Sequence, residues 1–215
     1  MGPAACLFDL DGLLLDTEPL QARAWHNAAA HFGCQLGAEQ LLSLRGQRRL
    51  DCAALVCRWI AAAGSNPPSC EELLAVRQPL ADALVPTAAA MDGAAELVQM
   101  CRDHLVPMAL VTSSSQEAVR RKAAPHRWLE LIQVRVYGDD PALAAGKPAP
   151  DPFLLAAKRL GRNPGDCWAF EDSAAGIEAA VAAGCQVYAL LPSEAGAQAT
   201  PAGVSRLNSL RDVRW

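Results

Sequence analysis

Cys6-Leu7-Phe8-Asp9-Leu10-Asp11-Gly12-Leu13-Leu14-Leu15-Asp16-Thr17 carries an apolar run into two carboxylates two residues apart, then a glycine. The run reads as a buried β-strand. Residues i and i+2 of an extended segment point to the same side, so Asp9 and Asp11 are expected to face one small site at the strand's carboxyl end. Gly12 lets the chain turn sharply just beyond it. Two such carboxylates can hold a hard cation through oxygen. Alternatively, one can act as a nucleophile while its neighbour moves a proton, provided their environments separate their pKa values. The plain alternative is an Asp-Gly turn after a strand. An EF-hand calcium loop fits poorly, because the next alternate positions are Leu13 and Leu15 rather than oxygen ligands.

The composition bounds what surrounds this stretch. The chain has 215 residues, 52% apolar and 20% charged, with a net charge of −4. This is enough for one large domain, or one domain with an insertion, and for a packed core. Acidic and basic residues are interspersed, which argues against a nucleic-acid surface or a polybasic membrane patch. No apolar run approaches the roughly 20 residues that span a bilayer. No signal peptide is evident before the first strand. The eight cysteines form no Cys-x-x-Cys pair and the four histidines lack ligand spacing with them. Buried thiols in a reducing, cytoplasmic compartment are therefore expected, rather than a zinc site or disulfides.

Outward from the first strand the periodicity changes twice. Residues 19–32, 38–44, 48–63 and 69–84 read as helices, with Ser69 and Glu72 as a capping box on the fourth. From Met91 onward, helices alternate with short apolar strands. Asp92 is expected to cap a helix to Cys101. Strands are expected at 107–112, 131–137, 167–170 and 185–190, and helices at 115–124, 151–160 and 173–183. The stretch from Ser193 to Pro201 is expected to be a surface loop, and Val204 to Val213 a brief edge strand with a short helix. Continuous apolar strands alternating with helices indicate a parallel sheet covered on both faces. The expected fold class is thus α/β: a Rossmann-like three-layer core (residues 1–15 and 87–215) with an inserted all-helical domain (16–86).

In open parallel sheets, ligands bind beyond the carboxyl ends of the strands. Two further clusters fall there, and a third, Gly146-Lys147-Pro148, lies on the loop before another helix. Thr112-Ser113-Ser114-Ser115 offers a hydroxyl and free amides at a helix start, a ready anion site, or a serine-rich turn with its N-cap. Glu171-Asp172 can ligate a metal or cap the next helix. Lys147, in Gly146-Lys147-Pro148, can neutralise a phosphate or carboxylate, or be a solvated surface lysine. It is not a Walker A lysine, because Pro148 stands where Ser or Thr is needed.

In this order and topology the four clusters resemble the motifs of the haloacid dehalogenase-like hydrolase superfamily, over residues 4 to about 192. The branch resembled carries a helical cap, as in β-phosphoglucomutase-like and phosphoglycolate-phosphatase-like enzymes. The resemblance implies that Asp9 attacks phosphorus to form an aspartyl-phosphate. Asp11 would protonate the leaving oxygen and then activate water. Mg²⁺ would be held by Asp9, the carbonyl of Asp11, and Asp172, with Glu171 in support. Thr112, Ser113, Ser114, Gly12 and Lys147 would surround the phosphoryl group, and Glu18 and Arg49 would reach the substrate from the cap. Arg49 closes the stretch Leu44–Arg49, which resembles the cap's recognition loop. Family dehalogenases need neither the metal nor the second acid, so Asp11 and Asp172 favour phosphoryl transfer. The expected activity is Mg²⁺-dependent hydrolysis of a small phosphate ester, with neither nucleic acid nor membrane as partner. A sugar-phosphate mutase is the alternative, weakened because Gln21 stands where mutase relatives carry histidine. A third reading is a non-catalytic phosphate-ligand-binding protein.

Overall fold

A computed structural model describes residues 2–44, 49–191 and 203–214. The chain divides into two compact units, Met1–Asp16 with Ala89–Trp215, and Thr17–Ala88. The first is built on a six-stranded, all-parallel sheet in the order β3-β2-β1-β4-β5-β6. Its strands are β1 (Ala5–Phe8), β2 (Met108–Val111), β3 (Val134–Val136), β4 (Cys167–Glu171), β5 (Gln186–Leu190) and β6 (Val204–Leu207). All residues of β1, β2 and β4 are buried. That is why these strands read as continuous rather than alternating apolar runs.

Helices cover both faces of the sheet. Ala5 and Leu7 of β1 join Phe153, Ala156 and Ala157 of α7 (Asp151–Leu160) and Ile177, Ala179 and Ala180 of α8 (Ala174–Ala182) in one apolar cluster. The intervening Cys6 faces the other way, with its thiol against Cys101 of α5 (Ala94–Asp103). The pleat thus sorts neighbouring residues to opposite layers. Phe8, Phe170 and Tyr188 stack in sequence across β1, β4 and β5, with centroids 5.0 and 5.2 Å apart.

Helix α5 departs from expectation. Its N-cap is Gly93 in the left-handed region, not Asp92. The Asp92 carboxylate is instead drawn to Arg211 at 2.9 Å and to the Ser209 hydroxyl at 3.0 Å. The strand expected at 131–137 is shorter, because Arg127–Leu131 coils into a 3₁₀ turn before β3. Ser115 and Ser173 cap α6 (Gln116–Ala123) and α8 through their hydroxyls.

The second unit is all-helical: α1 (Glu18–His31), α2 (Ala38–Ser43), α3 (Arg49–Ala62) and α4 (Cys70–Leu84). Its core gathers Trp25, Ala28, Ala29, Cys52, Val56, Ile60 and Leu73. The capping box forms as read, with Ser69 N–H donating to Glu72 at 2.8 Å and the Glu72 amide to Ser69 Oγ at 3.2 Å. Arg77 of α4 is buried, donates to the Gln21 side chain and lies 4.7 Å over the Trp25 ring. Residues 45–48, within the expected recognition loop, and the whole of the loop expected at 193–201 lie outside the described residues. The two connections to the sheet unit run side by side. Leu15 and Ala90 form an antiparallel bridge, and Asp16 N–H donates to the Ala89 carbonyl at 2.9 Å.

Candidate active site

Parallel register builds the site. Phe8 pairs with Phe170 and with Leu110, so β1, β2 and β4 end together. The next residues, Asp9, Thr112 and Glu171-Asp172, therefore converge at the sheet's carboxyl edge. The Asp9 amide donates to the Phe170 carbonyl at 3.0 Å, continuing the ladder one residue past β1. The chain then folds tightly on itself. Gly12 N–H donates to the Leu15 carbonyl at 2.8 Å, and Leu13, Leu14 and Leu15 are fully buried.

Lys147 lies at the centre, with its side chain only 5% exposed. Its ammonium donates to Asp9 Oδ1 at 2.6 Å, Glu171 Oε1 at 2.5 Å and the Val111 carbonyl at 2.8 Å. All three donors of the ammonium are therefore engaged, and the reading of Lys147 as solvated surface does not hold. Burial works against the charged ammonium, but the Asp9 and Glu171 carboxylates outweigh it and hold Lys147 above the usual lysine range. Burial raises the Asp9 carboxyl to about 7 and outweighs Lys147, with the Glu171 and Asp11 charges adding to the rise. A carboxylate kept from water with one counter-charge among several anions is an incomplete electrostatic arrangement. A second cation would complete it.

The acidic residues fit a divalent ion. Asp9, Glu171 and Asp172 each offer an oxygen within 4.8 Å of the others, a hard-oxygen set suited to Mg²⁺-type cations. Gly12 makes room for this cluster, since a Cβ there would fall 2.0 Å from Asp172 Oδ2. Glu171, fully buried, is braced from behind. Its Oε2 accepts from the amides of Asp172 (3.1 Å) and Ser173 (3.2 Å) and from Ser173 Oγ (3.0 Å). A Cβ at Gly176 would fall 1.9 Å from the Glu171 carboxyl, so only glycine lets α8 approach it.

The Asp11 side chain is outside this oxygen cluster. Lys122 of α6 donates to both its oxygens at 2.6 Å, and Ser114 Oγ donates to Asp11 Oδ2 at 2.9 Å. Thr112 is buried, and its Oγ1 accepts the Ser114 amide at 3.1 Å. Ser113 is exposed, with its carbonyl facing Gly138, where a Cβ would fall 2.1 Å away. The structure thus brings together Asp9, Asp11, Gly12, Thr112, Ser113, Ser114, Lys147, Glu171 and Asp172. Glu18 and Arg49 lie in the helical unit, at the starts of α1 and α3, and Arg49 donates to Gln78 at 3.2 Å.

Sequence reasoning missed Lys122. It sits in Gln116-Glu117-Ala118-Val119-Arg120-Arg121-Lys122-Ala123, as the last of three adjacent basic residues. The available signal was its position three residues after Val119, on the face that α6 buries.

Comparison with known proteins identifies the family. A family model described as haloacid dehalogenase-like hydrolase matches residues 3–184. The "probable pseudouridine-5'-phosphatase" of Drosophila melanogaster is 35% identical over 97% of this chain and 90% of its own length. Fructose-1-phosphate phosphatase YqaB of Escherichia coli (strain K12) is 34% identical over 84% of this chain and 93% of its own. Among solved structures, a HAD family hydrolase from Deinococcus radiodurans R1 with bound phosphate and sodium superposes with TM-score 0.71. It is 30% identical and covers 89% of this chain and 82% of its own. The match of the family model over most of the chain, the similarity to these relatives and the parallel sheet make the chain a member of the haloacid dehalogenase-like hydrolase family.

Proposed function

We propose that this hydrolase is an Mg²⁺-dependent phosphomonoesterase that releases phosphate from a small phosphorylated metabolite through an aspartyl-phosphate on Asp9. The observation that carries the reading is the contact of the Lys147 ammonium with Asp9 at 2.6 Å, inside a buried cluster of metal-competent oxygens. A phosphomonoester dianion repels a bare carboxylate, so attack requires positive charge at the site. Asp9, Asp172 and the Asp11 carbonyl would hold Mg²⁺, with Glu171 in support; when bound, the ion neutralises charge on the phosphoryl oxygens.

The chain's own residues supply the rest. Lys147 holds a phosphoryl oxygen and fixes the Asp9 carboxylate. Thr112, with the amides of Ser113 and Ser114, supports the remaining oxygens at the start of α6. An Asp9 oxygen forms a bond to phosphorus as the phosphorus–ester oxygen bond breaks. Asp11 gives its proton to the departing oxygen, then takes one from the water that cleaves the aspartyl-phosphate. Residues 17–88 act as a cap that excludes water, with Glu18 and Arg49 recognising the substrate beyond its phosphate. The insertion of this unit directly after the Asp9–Leu15 turn, between two paired connections, supports that assignment.

Gln21, held by Arg77, leaves the helical unit without the histidine of the mutase reading and favours hydrolysis. The relatives' named substrates, pseudouridine 5'-phosphate and fructose 1-phosphate, suggest the metabolite class. Eight unpaired thiols support a reducing, cytoplasmic location. The test is phosphate release from a panel of sugar, polyol and nucleoside monophosphates, with Mg²⁺ and with chelator, for wild type and Asp9→Asn. Turnover that survives Asp9→Asn refutes the mechanism.

A further inference from the structure

Two carboxylates two residues apart repel one another, and here each has its own lysine. Lys147 serves Asp9, and Lys122 serves Asp11. Lys122 is the one basic residue of α6 that is buried. Its side chain is 6% exposed, whereas that of Arg120 is 76% exposed and pairs with Glu117. Burying a lysine among apolar neighbours opposes folding unless a charged partner compensates. Its partners are Asp11, through both oxygens at 2.6 Å, and Ser114 Oγ at 2.7 Å. Ser114 is itself tied to Asp11 at 2.9 Å and to Thr112 Oγ1 through its amide. The three side chains form a closed triangle at the edge of the phosphoryl site.

We propose that Lys122 is a positioning residue that, with Ser114, sets the orientation of the Asp11 carboxyl group for proton delivery to the departing ester oxygen. The inference rests on the role assigned to Asp11 above. An ammonium has only donors, so it can bind only an unprotonated carboxyl oxygen. When Asp11 carries its proton, Lys122 holds the bare oxygen and turns the O–H toward the ester. As the phosphorus–oxygen bond breaks, that proton moves to the departing oxygen and Asp11 is left ionised. Lys122 and Ser114 then hold the ionised group in place for the water step.

Leaving-group dependence tests this. Fructose 1-phosphate departs as an alkoxide and needs the proton, whereas 4-nitrophenyl phosphate departs as a stabilised anion and does not. In Lys122→Met, kcat/KM for fructose 1-phosphate is expected to fall about 30- to 300-fold, within the range of a misplaced general acid, with 4-nitrophenyl phosphate falling less than about threefold. Lys122→Arg, which keeps a donor-only cation, should recover most of the loss. Equal losses on both esters, or no loss on either, overturn the proposal. If Lys122→Met does not fold, Lys122→Gln decides: a loss of about tenfold or more confined to the alkyl ester supports the triangle, and an equal loss on both, or no loss on either, overturns it. A wild-type protein that releases no phosphate from either ester or from any member of the monophosphate panel, or Asp9→Asn that still does, overturns the phosphatase reading itself and is told apart by those controls.

Discussion

Without metal, the protein should lose stability as the pH rises through the neutral range, and Asp9→Asn should remove that loss. Burial, opposed in part by Lys147, raises the Asp9 carboxyl from its ordinary value of 3.8 to about 7. The sign follows from proton counting. Between those two values the folded protein keeps a proton on Asp9 that the unfolded chain has released. Stability therefore falls with rising pH, fully present below the lower value and lost by the upper one. One proton corresponds to about 1.4 kcal/mol per pH unit, so the two units from pH 5 to pH 7 remove about 3 kcal/mol. For a chain of this length that is on the order of 6–12 °C in Tm. The assay is thermal unfolding of wild type and Asp9→Asn in chelator at pH 5, 6, 7 and 8. Only the pH-dependent part of their difference is read, which removes every other titrating group and any constant effect of the amide. Asp9→Asn should gain on wild type up to pH 7 and then level off. Mg²⁺ should restore the wild type at pH 8 more than the variant. Parallel wild-type and variant curves in chelator would refute the claim that Asp9 is an incompletely compensated buried charge.

Other outcomes follow from single contacts. Lys147→Met leaves Asp9 and Glu171 facing each other in a buried site; it should cost about 3–5 kcal/mol by chemical denaturation and abolish turnover. Gly12→Ala places a methyl 2.0 Å from Asp172 Oδ2 at a backbone φ of +88°. It should weaken Mg²⁺ binding at least about tenfold by calorimetry, since one misplaced ligand loses more than about 1.4 kcal/mol, and unchanged affinity would exclude Asp172 as a ligand. Gly176→Ala drives α8 from Glu171 and should cost about 1–3 kcal/mol in thermal unfolding. Among the described residues, the buried Arg77 Nε meets no acceptor. Arg77→Met should therefore be neutral or stabilising by up to about 2 kcal/mol, and a comparable loss would show that its contact with Gln21 and Trp25 outweighs its burial.

Much of this protein was legible in one dimension. The buried β1 strand, the Asp9-x-Asp11-Gly12 turn and the alternation of helix and strand after Met91 are local patterns, because side-chain periodicity and glycine conformation act over a few residues. The rule that parallel strands present ligands at their carboxyl ends then singled out Thr112, Glu171 and Asp172, while Lys147 was marked only by the resemblance of its loop to a family motif. What a residue's own neighbours in sequence do not encode is partnership across the fold. Asp92 read as a helix cap until Arg211, 119 residues away, drew its carboxylate off. Lys147 read equally well as a solvated loop lysine, and only the closure of β1 against β2 and β4 encloses it among carboxylates. Lys122 was hidden by the basic residues beside it, because which of three adjacent cations is buried depends on how α6 rolls against the sheet. The sequence by itself determined which elements form and which strand ends carry reactive groups. Tertiary structure alone decided that each aspartate receives its own lysine, because two charges pair by distance in space, and strand register and helix packing set that distance.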